Sequence, residues 1–240
     1  MKHLYLNVLA YLIMIAVNIA AETIPINEQT TGEISNRLPV FIQPANYAFS
    51  IWGFIYVLLA IWLLYSFFPS RRSLPIYSET SLLFIVSCLL NSLWIIVWHY
   101  ELFLLSVVVM LSLLVTLLLL YRKLTVLMTQ EFERVPFSVY LGWIIIASLV
   151  NISYYLVYIN WDVFVSAQVI WTIVFLFFGF AIALSFRVTY LDRWIPLVIS
   201  WAYVGIGIKQ FNSNPFLSYV AFGLAGVLLI SSIFIKKKSF

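Results

Sequence analysis

Eight apolar runs separated by short polar breaks constrain this chain more than any motif in it, because a bilayer crossing takes roughly 20 predominantly apolar residues. The runs are Leu4 to Ala21, Tyr47 to Phe68, Ser81 to Trp98, Leu102 to Tyr121, Pro136 to Ile159, Val163 to Phe186, Trp194 to Ile208 and Phe216 to Ile235. Transmembrane strands would need only about 9–11 residues of alternating polarity, and no such alternation appears. Composition agrees: 64% of the residues are hydrophobic and 9% are charged, whereas a water-soluble domain carries roughly 25% charged residues to solvate its surface. The expected fold class is all-α, a polytopic membrane helix bundle of about eight transmembrane helices. Pro25, Pro39, Pro44, Pro69, Pro75 and Pro215 fall in connections, while Pro136 and Pro196 sit in first turns, where a missing N–H costs little. The seventh run is the shortest, and Gly205 and Gly207 are expected to loosen its end.

The net charge of +4 is a topology signal. With eight crossings, one side receives Lys2, Arg71, Arg72, Arg122, Lys123, Arg134, Arg187, Arg193, Lys236, Lys237 and Lys238, and the other only Arg37 and Lys209. By the positive-inside rule both termini are expected in the cytoplasm, in a multi-pass protein of a bacterial cytoplasmic membrane. Nucleic acid is not an expected partner, since the cations are spread over the loops rather than interleaved with aromatics on one face. Lys237, Lys238, Ser239 and Phe240 also fit a dilysine retrieval tag. The first run resembles a signal peptide, but Asn18 or Ile19 would occupy the small-residue position before a cut, and a retained helix is expected. The connection over residues 22–46, with Glu22, Glu28, Glu33 and Arg37, is long enough to be a lid on the outer side.

The spans offer little ionisable chemistry. His99 and Glu101 lie in a tight outer turn and Lys209 at a span end, which counts against an ion-coupled pump. No catalytic residue and no metal site is expected, because no nucleophile has a base beside it and two histidines lack further ligands. A single Cys88 excludes an intramolecular disulfide and reads as a small packed hydrophobe. His99 reads as a capped interfacial histidine beside Tyr100, with contact to a haem edge as the alternative. Three amides remain: Asn91, Asn151 and Gln168. At about 1.5 Å per residue they sit at a common depth of roughly 8–12 Å below the outer surface, and Trp52 joins that layer. Asn91, Trp94 and Trp98 share one helical face, as do Trp143, Ala147 and Asn151, and Gln168, Trp171 and Phe175. Two readings stand. The amides are interhelical glue and Trp98, Trp161 and Trp194 an interfacial belt, or the deeper Trp52, Trp94 and Trp143 line a pocket for a flat apolar ligand.

These residues resemble the tryptophan-rich sensory protein family, also called the translocator protein or peripheral benzodiazepine receptor family. The resemblance covers Leu4 to Trp161 and rests on QPANYAFSIWGFIYVLL around Trp52, LLNSLWIIVW with Asn91 and Trp94, and YLGWIIIASLVN with Trp143, Ala147 and Asn151. It implies a five-helix pocket under the first loop and a tetrapyrrole, porphyrin or sterol-like ligand, with Trp52, Asn91, Trp94, Trp143, Ala147 and Asn151 as the contacts. No cofactor is required by it; a tetrapyrrole enters as ligand. The family core has five helices, so the expected organisation is a ligand-binding core at 1–161 and three additional helices at 162–240. The family's usual sterol motif is missing after the fifth span, although its loose pattern recurs at Leu119, Tyr121, Lys123 and at Val188, Tyr190, Arg193.

The leading expectation is a membrane protein that binds a hydrophobic planar ligand as sensor, scavenger or regulator. A facilitator for a small apolar solute and a porphyrin-degrading enzyme are the alternatives. Ala221, Gly223, Ala225 and Gly226 would permit close helix approach, within the chain or in a homodimer.

Overall fold

The structure is a computed structural model and describes residues 2–24, 26–127 and 131–234. Pro25 and the terminal Lys236, Lys237, Lys238, Ser239 and Phe240 lie outside the described residues. Among those described there is no strand. The helices are α1 (Lys2–Thr23), α2 (Thr31–Asn36), α3 (Ile51–Tyr65), α4 (Pro75–Glu79), α5 (Ser81–His99), α6 (Phe103–Val126), α7 (Glu131–Tyr158), α8 (Asp162–Val165), α9 (Gln168–Thr189), α10 (Trp194–Gln210) and α11 (Pro215–Phe234). Lipid offers the backbone no hydrogen bonds, so apolar segments of this length close their bonds internally as helices. Serines inside them do the same. Ser92 donates to the Cys88 carbonyl at 3.0 Å, Ser112 to Val108 at 2.8 Å and Ser148 to Ile144 at 2.7 Å, each one turn back along its own helix.

Seven of these helices are long and apolar enough to cross a membrane, α3 together with the 3-10 turn that precedes it. The expected seventh span, α10, has 17 residues. Its neighbours show what it does. Ser200 donates to the Ala225 carbonyl and Ser218 to the Gly207 carbonyl, so numbers rise along α10 as they fall along α11, and the two run antiparallel. Arg187, in the last turn of α9, donates to the Ser231 carbonyl near the end of α11, which makes α9 and α11 parallel. The connections over 190–193 and 211–214 reach at most about 14 Å when extended, against a hydrocarbon core of about 30 Å. For α9 and α11 both to cross, α10 must carry the chain back.

Packing divides the chain into two compact units, one of Met1–Arg37 with Trp52–Tyr140 and one of Leu38–Ile51 with Leu141–Phe240. The boundary passes through α7 and through the long loop. In the first unit Trp62, 1% exposed, is packed against Tyr77, Phe84 and Phe137, with ring centroids 4.9, 5.3 and 5.0 Å away. In the second unit close approach is set by small residues. A Cβ on Gly179 would lie 2.6 Å from the Tyr203 hydroxyl, and one on Gly207 2.6 Å from the Phe222 ring. Gly205 admits Pro44 and Ala48, and its carbonyl accepts from the Ala45 N–H at 3.0 Å. Gly205 and Gly207 therefore tighten α10 rather than loosen its end. Of the small residues on α11, Ala221 and Ala225 are buried, while a Cβ on Gly223 or Gly226 would meet nothing within 4 Å.

Two further expectations are corrected. Pro136 is not in a first turn, because α7 begins at Glu131 and carries the proline inside the helix. The sixth span does not start at Val163. The short α8 ends at Val165, and α9 begins at Gln168, so Gln168 is a helix-initial residue rather than one inside a span.

Candidate ligand-binding site

In the first unit, Asn91 of α5 sits inside a continuous set of polar contacts. Asn18 of α1 donates from Nδ2 to the Met14 carbonyl at 2.9 Å and to Asn91 Oδ1 at 2.8 Å. Tyr56 of α3 donates its hydroxyl to Asn18 Oδ1 at 2.7 Å, and Asn91 Nδ2 donates to the Tyr140 hydroxyl oxygen at 3.0 Å. Four helices thus meet at one layer, in which Asn91 and Tyr140 are buried and Asn18 and Tyr56 partly exposed. Amides in hydrocarbon must find partners, and Asn91 finds its partners in the protein. Trp52 covers this layer with its indole. It stacks on Tyr56 at 5.8 Å and 24° and meets Tyr140 edge-on at 6.0 Å and 72°, remaining partly exposed. Trp94, one turn beyond Asn91, stacks on Trp98 at 5.5 Å and 22°. Trp98 is 3% exposed and is a packed residue rather than a member of an interfacial belt.

The first part of the long loop belongs to this unit and is pinned at the turn between α5 and α6. Arg37 pairs with Glu101 at 2.9 Å and also bonds Gln29, and Asn27 Nδ2 donates to the His99 carbonyl at 3.0 Å. A capping box closes the start of α2: Thr30 Oγ1 accepts from the Glu33 N–H, and the Thr30 N–H donates to the Glu33 carboxylate. Both acids are held below the usual carboxylate range, Glu33 by the Thr30 backbone and hydroxyl bonds, Glu101 by the Arg37 hydrogen bond. His99 is fully buried, with Nδ1 2.7 Å from the Ile95 carbonyl. A carbonyl only accepts, so Nδ1 carries the proton there. Among the described residues no group of three or more His, Cys, Asp or Glu could hold a metal ion.

The second unit contains the other half of the expected site. Trp143 is 2% exposed and meets Phe49 edge-on at 5.7 Å and 86°. Ala147 is partly exposed and Asn151 is buried. The second part of the long loop is pinned to α10, through Trp201 Nε1 to the Ala48 carbonyl at 3.0 Å and Gln210 Nε2 to the Phe41 carbonyl at 2.9 Å. At the start of α9, Trp171 stacks on Phe164 of the adjoining α8.

The six expected contacts thus fall three in each unit: Trp52, Asn91 and Trp94 in the first, Trp143, Ala147 and Asn151 in the second. In the first, the structure joins Trp52 to Asn91 through Tyr140 and Tyr56. Sequence reasoning missed Tyr140, Tyr56 and Asn18. A signal for two of them existed, since Tyr56 lies one turn after Trp52, and Tyr140 lies one turn before Trp143 on the stripe that continues to Ala147 and Asn151. The loose sterol pattern at Leu119, Tyr121 and Lys123 gains nothing from the fold: Tyr121 is buried under the Arg134 guanidinium and Lys123 pairs with Glu79.

The family model described as TSPO-like protein matches residues 4–234. The match extends well past Trp161 and includes α9, α10 and α11, which the resemblance in the first five spans left as an addition. No curated protein and no solved structure matches the chain.

Proposed function

The chain belongs to the TSPO-like family, and from that premise we propose that this integral multi-pass membrane protein binds a hydrophobic planar ligand, a tetrapyrrole or sterol-like molecule, in its first unit, and acts as a sensor, scavenger or regulator. The observation that carries the proposal is the Trp52–Tyr56 stack. It offers a partly exposed indole beside a layer of neutral polar groups, which suits a flat apolar molecule with one or two hydrogen-bonding atoms. Trp52 and Trp94 supply aromatic surface, and Asn91 belongs to the polar wall. The polar groups of that layer are amides and hydroxyls, which bind and orient a ligand without changing charge. This favours binding over proton-coupled transport.

The test is a titration of purified protein with protoporphyrin IX, read by tryptophan quenching and by the porphyrin absorption band. Trp52→Ala weakens binding by a factor of about 2–12, corresponding to roughly 0.5–1.5 kcal/mol for an aromatic pair. Trp194→Ala in α10 leaves the affinity unchanged, and Trp143→Ala tests the second unit separately. Equal losses in all three variants would mean that the indoles act through folding, and the site assignment would fail. The proposed orientation, with both termini in the cytoplasm, has its own test. Cysteines replacing Thr31 and Asp162 react with an impermeant reagent from outside and one replacing Ser73 does not; the reverse pattern would invert the topology.

A further inference from the structure

Each hydrogen bond in the polar layer of the first unit can be assigned a direction, because the set is anchored at one end by a group that only accepts. The Met14 carbonyl fixes the nitrogen of Asn18 on its side. Asn18 Oδ1 then faces Tyr56, whose hydroxyl must donate to it. Asn18 Nδ2 also faces Asn91, so the Asn91 atom there is its oxygen, and the Asn91 nitrogen is turned to Tyr140. Tyr140 therefore accepts, and its own O–H hydrogen is left over. Among the described residues that hydrogen meets no acceptor. The residue is 1% exposed, so bulk water does not reach it either, and a buried hydroxyl in this position gains from any acceptor brought to it. Hydrogen bonds aligned in one direction polarise one another, so the chain from Tyr56 through Asn18 and Asn91 strengthens Tyr140 as a donor. Its ring stands edge-on to Trp52 at 6.0 Å, beside the proposed stacking surface.

We infer that the Tyr140 hydroxyl is the hydrogen-bond donor of the first-unit site, that it selects ligands carrying an acceptor oxygen such as a carbonyl, and that Asn91 is the residue that orients it. This rests on the ligand-binding reading of the same unit. It changes the part played by Asn91, whose amide oxygen accepts from Asn18 and whose nitrogen gives one of its two hydrogens to Tyr140.

Two porphyrins test it, mesoporphyrin IX dimethyl ester and etioporphyrin. Both are uncharged and share the macrocycle, and only the first carries ester carbonyls. With the full chain in detergent micelles, tryptophan quenching gives an affinity for each. The expected result is that the wild type binds the ester about tenfold more tightly, since a site built to donate to an oxygen rejects the analogue lacking it. In Tyr140→Phe the ratio falls to near one while etioporphyrin binding is kept. Asn91→Leu lowers the ratio in the same sense, whereas a purely structural loss would weaken both porphyrins alike and would remove Asn91 from its orienting role. Tyr11→Phe, whose lost hydroxyl bonds the Tyr56 carbonyl, keeps the wild-type ratio. The ratio does not depend on how much protein folds, so a destabilised variant still reports. Wild-type protein that binds both porphyrins equally, a Tyr140→Phe ratio equal to wild type, or a Tyr11→Phe ratio that also collapses, overturns the inference alone. Wild-type protein that binds neither porphyrin overturns it together with the tetrapyrrole reading.

Discussion

The two units solve the same problem, holding polar groups in hydrocarbon, in different ways. In the second unit a side chain reaches a backbone carbonyl of a neighbouring helix: Ser200 to Ala225, Ser218 to Gly207, Tyr203 to Leu176, and Arg187 to Ser231. Each bond ends where it lands, and Gly179 and Gly207 allow close approach beside Tyr203 and Phe222. In the first unit side chains bond to side chains, from Tyr56 through Asn18 and Asn91 to Tyr140, around helices spaced by large rings. Backbone acceptors close a network, whereas side-chain amides pass it on. The second arrangement builds a scaffold. The first leaves a donor for something else.

Removing the ring cluster breaks the comparison most severely. Trp62→Ala is expected to cost about 3–5 kcal/mol of stability, as large-to-small changes at fully buried aromatics do. Trp143→Ala, at an indole 2% exposed in the second unit, is expected to fall in the same range. Thermal denaturation of both variants in micelles checks this, and a loss below about 1 kcal/mol at Trp62 would show that its ring cluster is not the centre of the first unit. Next comes close approach. Gly207→Ala puts a Cβ 2.6 Å from the Phe222 ring and should cost about 1–3 kcal/mol by overpacking. Gly223→Ala on the open face of α11 should be near neutral or slightly stabilising, so the pair separates sterics from helix propensity.

The polar difference is sharpened by Asn18→Leu and Tyr203→Phe. The first strands the Tyr56 hydroxyl and Asn91 Oδ1 together and should cost about 1–3 kcal/mol; the second loses one bond to a carbonyl and should cost about 0.5–1.5 kcal/mol. Equal losses in denaturant titrations would erase the distinction drawn between the units. The smallest effect lies at the loop. Arg37 holds the Glu101 carboxyl below its usual range, so the folded form favours the ionised acid. That contribution is present above the unfolded value of about 4.3 and is lost as pH falls through the lowered folded value. The pair is 41% and 35% exposed, and about 0.2–1 kcal/mol is appropriate for it. The difference in melting temperature between wild type and Glu101→Gln should therefore be small at pH 7 and disappear as the pH falls through the lowered folded value; a difference that grows on acidification would contradict the sign.

Hydropathy, summed over windows of about 20 residues, is a local property, and it is why the spans were legible in the sequence. The helical class and the long apolar helices were readable there, with α10 expected as the shortest of eight spans. The partners of polar groups are not local. Asn18 meets Asn91 across 73 residues and Asn91 meets Tyr140 across 49, and no window contains either pair. Composition assigned Asn18 to a signal-peptide question and Tyr140 to nothing, because a tyrosine in an apolar run looks the same whether its hydroxyl is bonded or idle. Gly205 and Gly207 show the same limit: propensity marks them as weak points of a helix, and only the arrival of Pro44, Ala48 and Phe222 makes them necessary. The sequence by itself determined that this chain lives in lipid as helices, since that follows from how much apolar surface each segment carries. Which amide faces which hydroxyl, and so which hydrogen is left to donate, was decided by tertiary packing, because hydrogen-bond direction is set only when all the partners are in place.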